Sequence, residues 1–293
     1  MRRATGVGVV LNRAVPGFLA AQPEAVDYVE VIPETLWTDR RGKTEPRFEW
    51  IPTAVHDVEV LTARYPLAAH GVGLSVGSAL PLDERHIAEV SRFLDTFCID
   101  RYSEHLGFNR VPGQNGSDCH IGLGFPVPCD EDMLDFMTDR ITTVNQLTNR
   151  SVILENGVRH TPFVKEDMSE PTFMNRLASL AGCGILLDLH NLYTDYRNNG
   201  QAPREYIAEL KLENVREIHI AGGSVIGSAY TDSHAGACPS DVWELLEEVV
   251  PLCENLEGVT FEFHDSYYPV LGESGLLQQL RRARTIWESR VDR

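Results

Sequence analysis

The sequence predicts an α/β fold, a single (β/α)8 barrel that extends over residues 1–293 as one domain. Eight short runs rich in apolar and β-branched residues recur along the chain, and longer segments with helical periodicity separate them. Strands that alternate with helices are typical of parallel sheets with both faces buried. The length of 293 residues also suits such a barrel, which takes about 250 residues.

The eight predicted strands are short and mostly apolar. They lie at residues 6–11, 27–32, 67–70, 102–105, 152–155, 185–188, 217–220 and 259–263. A doubly wound open sheet is the alternative, but no GxGxxG turn follows the first strand, because Gly6 and Gly8 lie within it. Asp130 and Ser240 are expected to cap two of the helices, since short polar side chains accept hydrogen bonds from the first free amides of a helix.

Charge and composition argue against several kinds of protein. Asp and Glu number 43 against 26 Lys and Arg, which gives a net charge of −17 at pH 7. Nucleic acids and anionic membranes attract clustered Lys and Arg, so neither is expected as a partner. No run approaches 18 apolar residues, and the amino-terminal segment lacks the apolar stretch of a signal peptide. Six cysteines without a CxxC pair indicate reduced thiols, so a cytoplasmic protein is expected.

Residue types that bind metals stand at the ends of six of the eight predicted strands. They are His70, the Glu104-His105 pair, Glu155 followed by Asn156, Asp188 followed by His190 and Asn191, His219, and Glu262 followed by His264 and Asp265; Asp232 and His234 lie in the loop after the seventh strand. A barrel of this kind carries its chemistry at the carboxyl ends of its strands. Carboxylates and imidazoles buried together there stay unpaired or repel each other unless a cation lies among them.

The mixture of ligand types narrows the choice of metal. His and carboxylates without Cys favour Fe, Mn or catalytic Zn over a structural zinc site. Glu155, on a central strand, is the candidate for a carboxylate that bridges two cations. Paired carboxylates for glycoside hydrolysis are the competing interpretation, with Glu155 and Glu262 as acid and nucleophile. That chemistry does not require the neighbouring His and Asp residues, so a metal centre is the preferred hypothesis.

Motifs around these strand ends share their order and spacing with a known group of enzymes. They are HGVGLSVGS (70–78), SEHLGF (103–108), GFPVP (124–128), LENG (154–157), LLDLHNLY (186–193), EIHIAGG (217–223), DSH (232–234) and FEFHDSY (261–267). Together they resemble the multinuclear non-haem iron-dependent oxidative enzymes, the family of the methanobactin-biosynthesis oxidase. The resemblance extends from GVGVVLN near the amino terminus to the helix near Leu276. It implies a xylose-isomerase-like TIM barrel whose ligand order is similar to that of the endonuclease IV type of apurinic endonuclease.

The resemblance implies a set of metal ligands. One metal would bind His70, His105 and Glu155, and a second would share Glu155 and add Asp188, His219 and Glu262. A third would bind Asp232 and His234, with His190 or Asn191 as the remaining ligand. Strand alternation is expected to place His190 on the same face as Asp188. Glu155, Asp188 and Glu262 are the residues expected to act in catalysis.

The same resemblance implies an activity. It implies two or three iron ions (Fe2+/Fe3+), dioxygen as co-substrate and oxidative modification of a residue, often cysteine, in a ribosomally made precursor peptide. It also implies that a small partner protein often presents that peptide. The endonuclease carries His where this chain has Asn191, which favours the oxidase. The enzyme alternative is a divalent-metal-dependent hydrolase or sugar isomerase with the same ligands, and the non-enzyme alternative is a scaffold subunit with a degenerate site.

Overall fold

The centre of the structure is a closed barrel of eight parallel strands. The structure is a computed structural model that describes residues 3–41, 45–113, 118–159, 163 and 165–290. The barrel strands are β1 (Gly6–Val10), β2 (Tyr28–Val31), β5 (Leu67–Gly71), β6 (Tyr102–His105), β9 (Ile153–Glu155), β10 (Gly184–Asp188), β11 (Val215–Ala221) and β14 (Gly258–Glu262). Each pairs with the next in this order, and β14 closes the barrel on β1. The predicted fold class is confirmed, and the open sheet is excluded.

Helices connect the successive barrel strands and cover their outer faces. They are α1 (Val15–Ala21), α2 (Pro52–Thr62), α3 (Glu84–Thr96), α4 (Glu131–Thr148), α5 (Glu170–Ala181), α6 (Leu189–Asn199), α7 (Pro203–Glu209), α8 (Ser240–Val249) and α9 (Tyr268–Ser289). Their apolar residues form one core with the strands, to which Phe93, Leu134 and Phe261 contribute fully buried side chains. Within the described residues, no helix is long and apolar enough to cross a membrane.

In the part of the chain that the structure describes, three short antiparallel hairpins accompany the barrel, and none of them was predicted. They are β3 (Trp37–Asp39) with β4 (Phe48–Trp50), β7 (Phe108–Pro112) with β8 (Asp118–Phe125), and β12 (Ser224–Ile226) with β13 (Ala229–Thr231). All eight residues of β8 are exposed. An exposed hairpin does not need the apolar pattern of a buried strand, so its sequence gives a weak signal.

The two predicted helix caps have different outcomes. Asp130 caps α4, and its Oδ1 accepts a hydrogen bond from the amide of Met133 at 2.8 Å. The expectation for Ser240 is wrong, because Pro239 occupies the capping position and Ser240 is the first residue of α8. Pro239 has the extended backbone that a cap requires (φ −61°, ψ 153°), but it has no side-chain acceptor.

The interior of the barrel is layered by strand alternation. Tyr28 and Glu30 point to the same side of β2, as Glu217 and His219 do on β11. The Tyr28 ring fills the lower layer, where a Cβ atom at Gly8 would lie 2.2 Å from it. Its hydroxyl lies 2.6 Å from Thr260 Oγ1 and 3.3 Å from Glu217 Oε1. A polar layer therefore lies below the carboxyl ends of the strands.

Candidate metal centre

The parallel register places ligand-type residues next to each other at the carboxyl ends of the strands. The Cα partner of His105 on β6 is Glu155 on β9, and the partner of Asp188 on β10 is His219 on β11. Glu262 ends β14. Because all of these strands run in the same direction, their ends form one rim, and the side chains that point inward share the barrel mouth.

The first group of side chains converges on one carboxylate oxygen. The Nε2 atoms of His70 and His105 lie 3.3 Å and 3.4 Å from Oε2 of Glu155. The other ring nitrogens are held from behind, because Nδ1 of His70 lies 2.8 Å from Ser103 Oγ and Nδ1 of His105 lies 3.3 Å from the Gly71 carbonyl. Metal-binding histidines are oriented in this way by a partner on the second nitrogen.

The second group contains the same glutamate. One donor atom each of Glu155, Asp188 and His219 lie within 4.8 Å of one another, and all three residues are buried. Asp188 Oδ1 accepts a hydrogen bond from the amide of Asn191 at 2.7 Å, which leaves Oδ2 without a partner. Nδ1 of His219 lies 3.3 Å from Oε2 of Glu262. Glu155 is therefore the residue common to both groups.

The third group lies beside the second, where the chain leaves β13. Asp232 Oδ1 lies 2.8 Å from Nδ1 of His190 and 3.2 Å from Nε2 of His234. Nε2 of His234 also lies 3.5 Å from Oε2 of Glu262, which connects this group to the second. The other nitrogen of His190 lies 3.0 Å from the Tyr230 hydroxyl.

His190 and Asn191 occupy different places. The strand ends at Asp188 and α6 begins at Leu189. Strand alternation therefore does not set the direction of the His190 side chain, and that expectation is wrong. His190 contacts Asp232 from the first turn of the helix. Asn191 lies instead against the shared glutamate, because its Nδ2 donates hydrogen bonds to Glu155 Oε1 and to the Asn156 carbonyl, both at 3.0 Å.

Asn156 holds the neighbouring strand end. Its Oδ1 accepts a hydrogen bond from the amide of Asp188 at 2.8 Å, and its Nδ2 donates to the Asp188 carbonyl at 3.1 Å. Both residues are buried. The side chain therefore substitutes for a main-chain partner and fixes Asp188 where the strand gives way to the helix.

Three other strand-end residues, Glu104, His264 and Asp265, do not belong to these groups. Glu104 points to the other side of β6, where it accepts hydrogen bonds from the Tyr102 hydroxyl at 3.1 Å and the Leu74 amide at 3.4 Å. The His264 side chain is 63% exposed, and its Nδ1 lies 2.7 Å from Ser266 Oγ, 3.2 Å from the Ser266 amide nitrogen and 3.4 Å from Oδ1 of Asp265.

Sequence reasoning missed Glu30 on β2. Oε1 of Glu30 lies 3.1 Å from Nε2 of His219, and one donor atom each of Glu30, His219 and Glu262 lie within 4.8 Å of one another. The signal was the one carboxylate within residues 28–32 (YVEVI), where a charged residue is not expected unless it has a partner inside the barrel.

Burial shapes the charge of the site. Burial and then the Asp188 carboxylate raise the pKa of Glu155 well above its usual range. Burial and then Asp232 and Glu262 raise the pKa of Asp188 to about 6. Burial also lowers the pKa of His70 well below its usual value, with help from His105, so its imidazole is neutral and keeps a lone pair. The imidazole of His70 and the carboxylates of Glu155 and Asp188 are thus donors whose deprotonated forms a cation would stabilise.

The donor set fits metal ions. Among the described residues, Glu155 Oε2, Asp188 Oδ2 and both ring nitrogens of His219 are buried without a hydrogen-bond partner. A buried polar atom without a partner costs about 1–3 kcal/mol, so several at one point require an explanation. A cation among them would engage the two carboxylate oxygens and one nitrogen of His219, and the His and carboxylate donors match those of iron, manganese and catalytic zinc sites.

Two cavities open onto the groups. One of about 980 Å³ is lined by His70, His105 and Glu155 and by Asp232, His234 and Glu262. The other, of about 440 Å³, is mostly apolar because the β7–β8 hairpin contributes Phe108, Leu123 and Phe125; it also reaches His105, Asn191 and Asp232. The ligand-type residues are thus accessible to a substrate from outside the barrel.

Solved structures with the same architecture share little sequence with this chain. Endonuclease IV from Thermus thermophilus superimposes with a TM-score of 0.56 at 15% identity, over 97% of this chain and 99% of its own. A D-allulose 3-epimerase from Methylomonas sp. gives a TM-score of 0.57 at 12% identity, with 99% of each chain covered. These neighbours are xylose-isomerase-like TIM barrels, and the likeness establishes the fold of this chain.

Relatives by sequence agree over nearly the whole chain. A UPF0276 protein from Anaeromyxobacter sp. (strain Fw109-5) is 33% identical over 97% of this chain and 94% of its own, and one from Caulobacter vibrioides is 30% identical over 92% and 89%. The sequence model of a family described as RiPP precursor modification enzymes, where RiPP denotes a ribosomally synthesised and post-translationally modified peptide, matches residues 6–288. The chain therefore belongs to the RiPP precursor modification enzyme family MbnB/TglH/ChrH.

Proposed function

We propose that this protein is a multinuclear non-haem iron enzyme that uses dioxygen to modify a residue of a ribosomally made precursor peptide. Cysteine is the residue that we propose it modifies. The observation that carries the proposal is the position of Glu155. Its carboxylate lies where the two-histidine group and the Asp188 group meet, so it is placed to serve two metal ions. Membership of a peptide-modifying family supports the choice of substrate.

We assign the ligands by these contacts. His70, His105 and Glu155 would hold one ion, and Glu155, Asp188, His219 and Glu262 a second. Asp232, His234 and His190 would hold a third, which makes His190 rather than Asn191 the remaining ligand. When bound, iron supplies the one-electron and dioxygen chemistry that zinc lacks.

The surrounding residues hold the side chains of the proposed ligands in their orientations. Ser103 and the Gly71 carbonyl fix the rings of His70 and His105, and Asn191 donates to the shared carboxylate. Asn156 fixes the end of β10. Because these proposed metal ligands are already held in place, their side chains need little reorganisation when a substrate binds.

The cavities support a peptide as substrate. The volume of about 980 Å³ above the ligands is large enough for several residues of an extended chain, and the cavity of about 440 Å³ offers an apolar wall beside it. A peptide that lies across the barrel mouth would place one side chain among His105, Glu155 and Asp232 while its neighbours pack against the β7–β8 hairpin. Sequestering the reacting side chain in this way excludes competing water.

Metal analysis of protein purified without oxygen tests the proposal. We expect about two to three iron ions per chain, and oxygen consumption when a cysteine-containing precursor peptide that the protein binds is added. Zinc or manganese with no oxygen consumption would instead support the hydrolase or isomerase alternative, and protein without metal would support a scaffold. His70→Ala should lose iron, whereas His264→Ala, an exposed residue that lines the same cavity, should keep it.

A further inference from the structure

Glu30 is a buried carboxylate beneath the proposed metal centre. It lies in the middle of β2, and its side chain has no exposed surface. Among the described residues, neither of its carboxylate oxygens makes a hydrogen bond of good geometry. Removing a carboxylate from water without a partner costs folding free energy, so a buried carboxylate at this position indicates a function.

The ring of His219 lies between Glu30 and the proposed ligands. Its Nε2 is 3.1 Å from Glu30 Oε1, while Nδ1 is 3.3 Å from Glu262 Oε2. A neutral imidazole carries a proton on one nitrogen and a lone pair on the other. Only the tautomer with its proton on Nε2 offers the lone pair to the side of the ring where Glu262 lies.

The other carboxylate below His219 belongs to Glu217, whose Oε2 makes no hydrogen bond within the described part of the chain and whose Oε1 is engaged elsewhere. Oε1 of Glu217 lies 3.2 Å from Nη2 of Arg101 and accepts a hydrogen bond from Thr260 Oγ1 at 3.0 Å. It is also farther from the ring, at 3.8 Å from Nε2 of His219. Glu30 is therefore the nearer of the two carboxylates and the favoured acceptor for the Nε2 proton.

We propose that Glu30 is a positioning residue that accepts the Nε2 proton of His219 and so fixes the tautomer and direction of Nδ1 toward the second metal. This rests on the proposed metal centre. A direct ligand role for Glu30 is the rival, since it shares a possible metal group with His219 and Glu262. The rival is less favoured because Glu30 faces Nε2, on the opposite side of the ring from the Nδ1 contact with Glu262.

Cobalt(II) titration of metal-free protein tests the proposal, since Co(II) reports each site through its visible absorption. Glu30→Ala should weaken one site by about 10–100-fold, as loss of an outer partner of a ligand does, and leave the His70 site unchanged. Glu30→Gln keeps an oxygen acceptor and should restore most of the affinity. Glu217→Gln is the matched control, a buried carboxylate 3.8 Å from the same ring, and should change Co(II) affinity less than Glu30→Ala.

Nitrogen NMR of the zinc-loaded protein provides a readout that does not depend on activity. In wild-type protein and Glu30→Gln, His219 should show a metal-bound Nδ1 and a slowly exchanging Nε2 proton, assigned by its loss in His219→Gln. In Glu30→Ala that proton should exchange faster. Circular dichroism of each metal-free variant verifies that it is folded.

Three results would overturn the inference. Unchanged affinity in Glu30→Ala would show that the contact has no role, and loss of a full equivalent in both Glu30→Ala and Glu30→Gln would show that Glu30 is a ligand. If wild-type protein binds no cobalt or zinc at all, the metal centre itself fails, and that result is distinguishable because it appears before any variant is made.

Discussion

Asn191 illustrates what individual residues in a sequence do and do not reveal. Residue type and position at a strand end were enough to predict His70, His105, Glu155, Asp188, His219 and Glu262 as neighbours, and the structure brings them together. The choice between His190 and Asn191 was left open because it depends on where β10 gives way to α6. Side-chain direction changes period at that point, from two to 3.6 residues. Glu30 escaped notice for a related reason, because it lies inside a strand instead of at its end.

The shared carboxylate leads to a prediction about stoichiometry. Glu155→Ala should abolish activity and remove more than one metal equivalent per chain, because two groups of ligands lose a member together. Metal analysis after gel filtration measures this. Glu104→Gln is the matched control, since this buried carboxylate on the adjacent strand faces away from His105 and should leave the metal content intact. Full metal content in Glu155→Ala would contradict the bridging role.

Strands and loops hold their ligands with different rigidity. Glu155 and Asp188 end barrel strands that are paired on both sides, whereas Asp232 and His234 follow the short hairpin of β12 and β13. His234 also has a positive φ of 49°, which non-glycine residues seldom adopt. Ligands on loops are less ordered than ligands on a closed sheet. The strand ligands were predictable from the barrel pattern, but the hairpin that delivers Asp232 was not.

This difference predicts that the third ion is the most labile. It should be present at less than one equivalent and be lost first under mild chelation. Asp232→Ala combined with His234→Ala should remove about one metal per chain or less and spare the other two ions. His190→Ala alone should also empty this site, since Nδ1 of His190 lies 2.8 Å from Asp232. Loss of all metal from the double variant would show that our division of the ligands is wrong.

The helix caps offer a second test of local structure. Asp130→Ala should lower the free energy of unfolding by about 1 kcal/mol, because the Met133 amide loses its acceptor. Ser240→Ala removes a side chain that caps nothing, so its effect should stay within about 0.5 kcal/mol. Urea titrations of the two variants measure the difference. Equal losses would contradict the distinction between a cap and a first-turn residue.

Across the described part of the molecule, buried carboxylates outnumber buried guanidinium groups, and not only at the barrel mouth. The composition gives the net charge of −17, but it does not reveal which of the acidic residues are buried. A separate cluster surrounds Arg159, whose Nη2 lies 2.5 Å from Glu166 and whose Nη1 lies 3.8 Å from Glu170. The Arg159 amide donates to Asp195 at 2.9 Å. Arg159 thus contacts three carboxylates, two through its guanidinium and one through its main-chain amide. The pattern along the chain gave no sign of this, because the residues come from a loop and two different helices.

This cluster predicts how stability depends on pH. Burial raises the pKa of Glu170 to about 7, although Arg159 opposes the shift. A carboxyl whose pKa is higher in the folded state favours folding fully below its unfolded value, which is about 4.3. Stability is then lost as the pH rises to about 7, because the unfolded chain releases its proton first. Glu170→Gln removes this titration, so the variant should match wild type near pH 4.5 and exceed it by up to about 3 kcal/mol at pH 8.

Thermal unfolding of wild type and Glu170→Gln between pH 4.5 and pH 8 measures how far the two stability profiles separate as the pH rises. Glu205→Gln, an exposed carboxylate on α7, is the matched control and should run parallel to wild type over the whole range. Arg159 keeps its contact with Glu166 in Glu170→Gln, so no cation is left without a partner. A variant less stable than wild type at pH 8 would show that Glu170 is ionised in the folded protein and that its contact with Arg159 outweighs the cost of burying the charge.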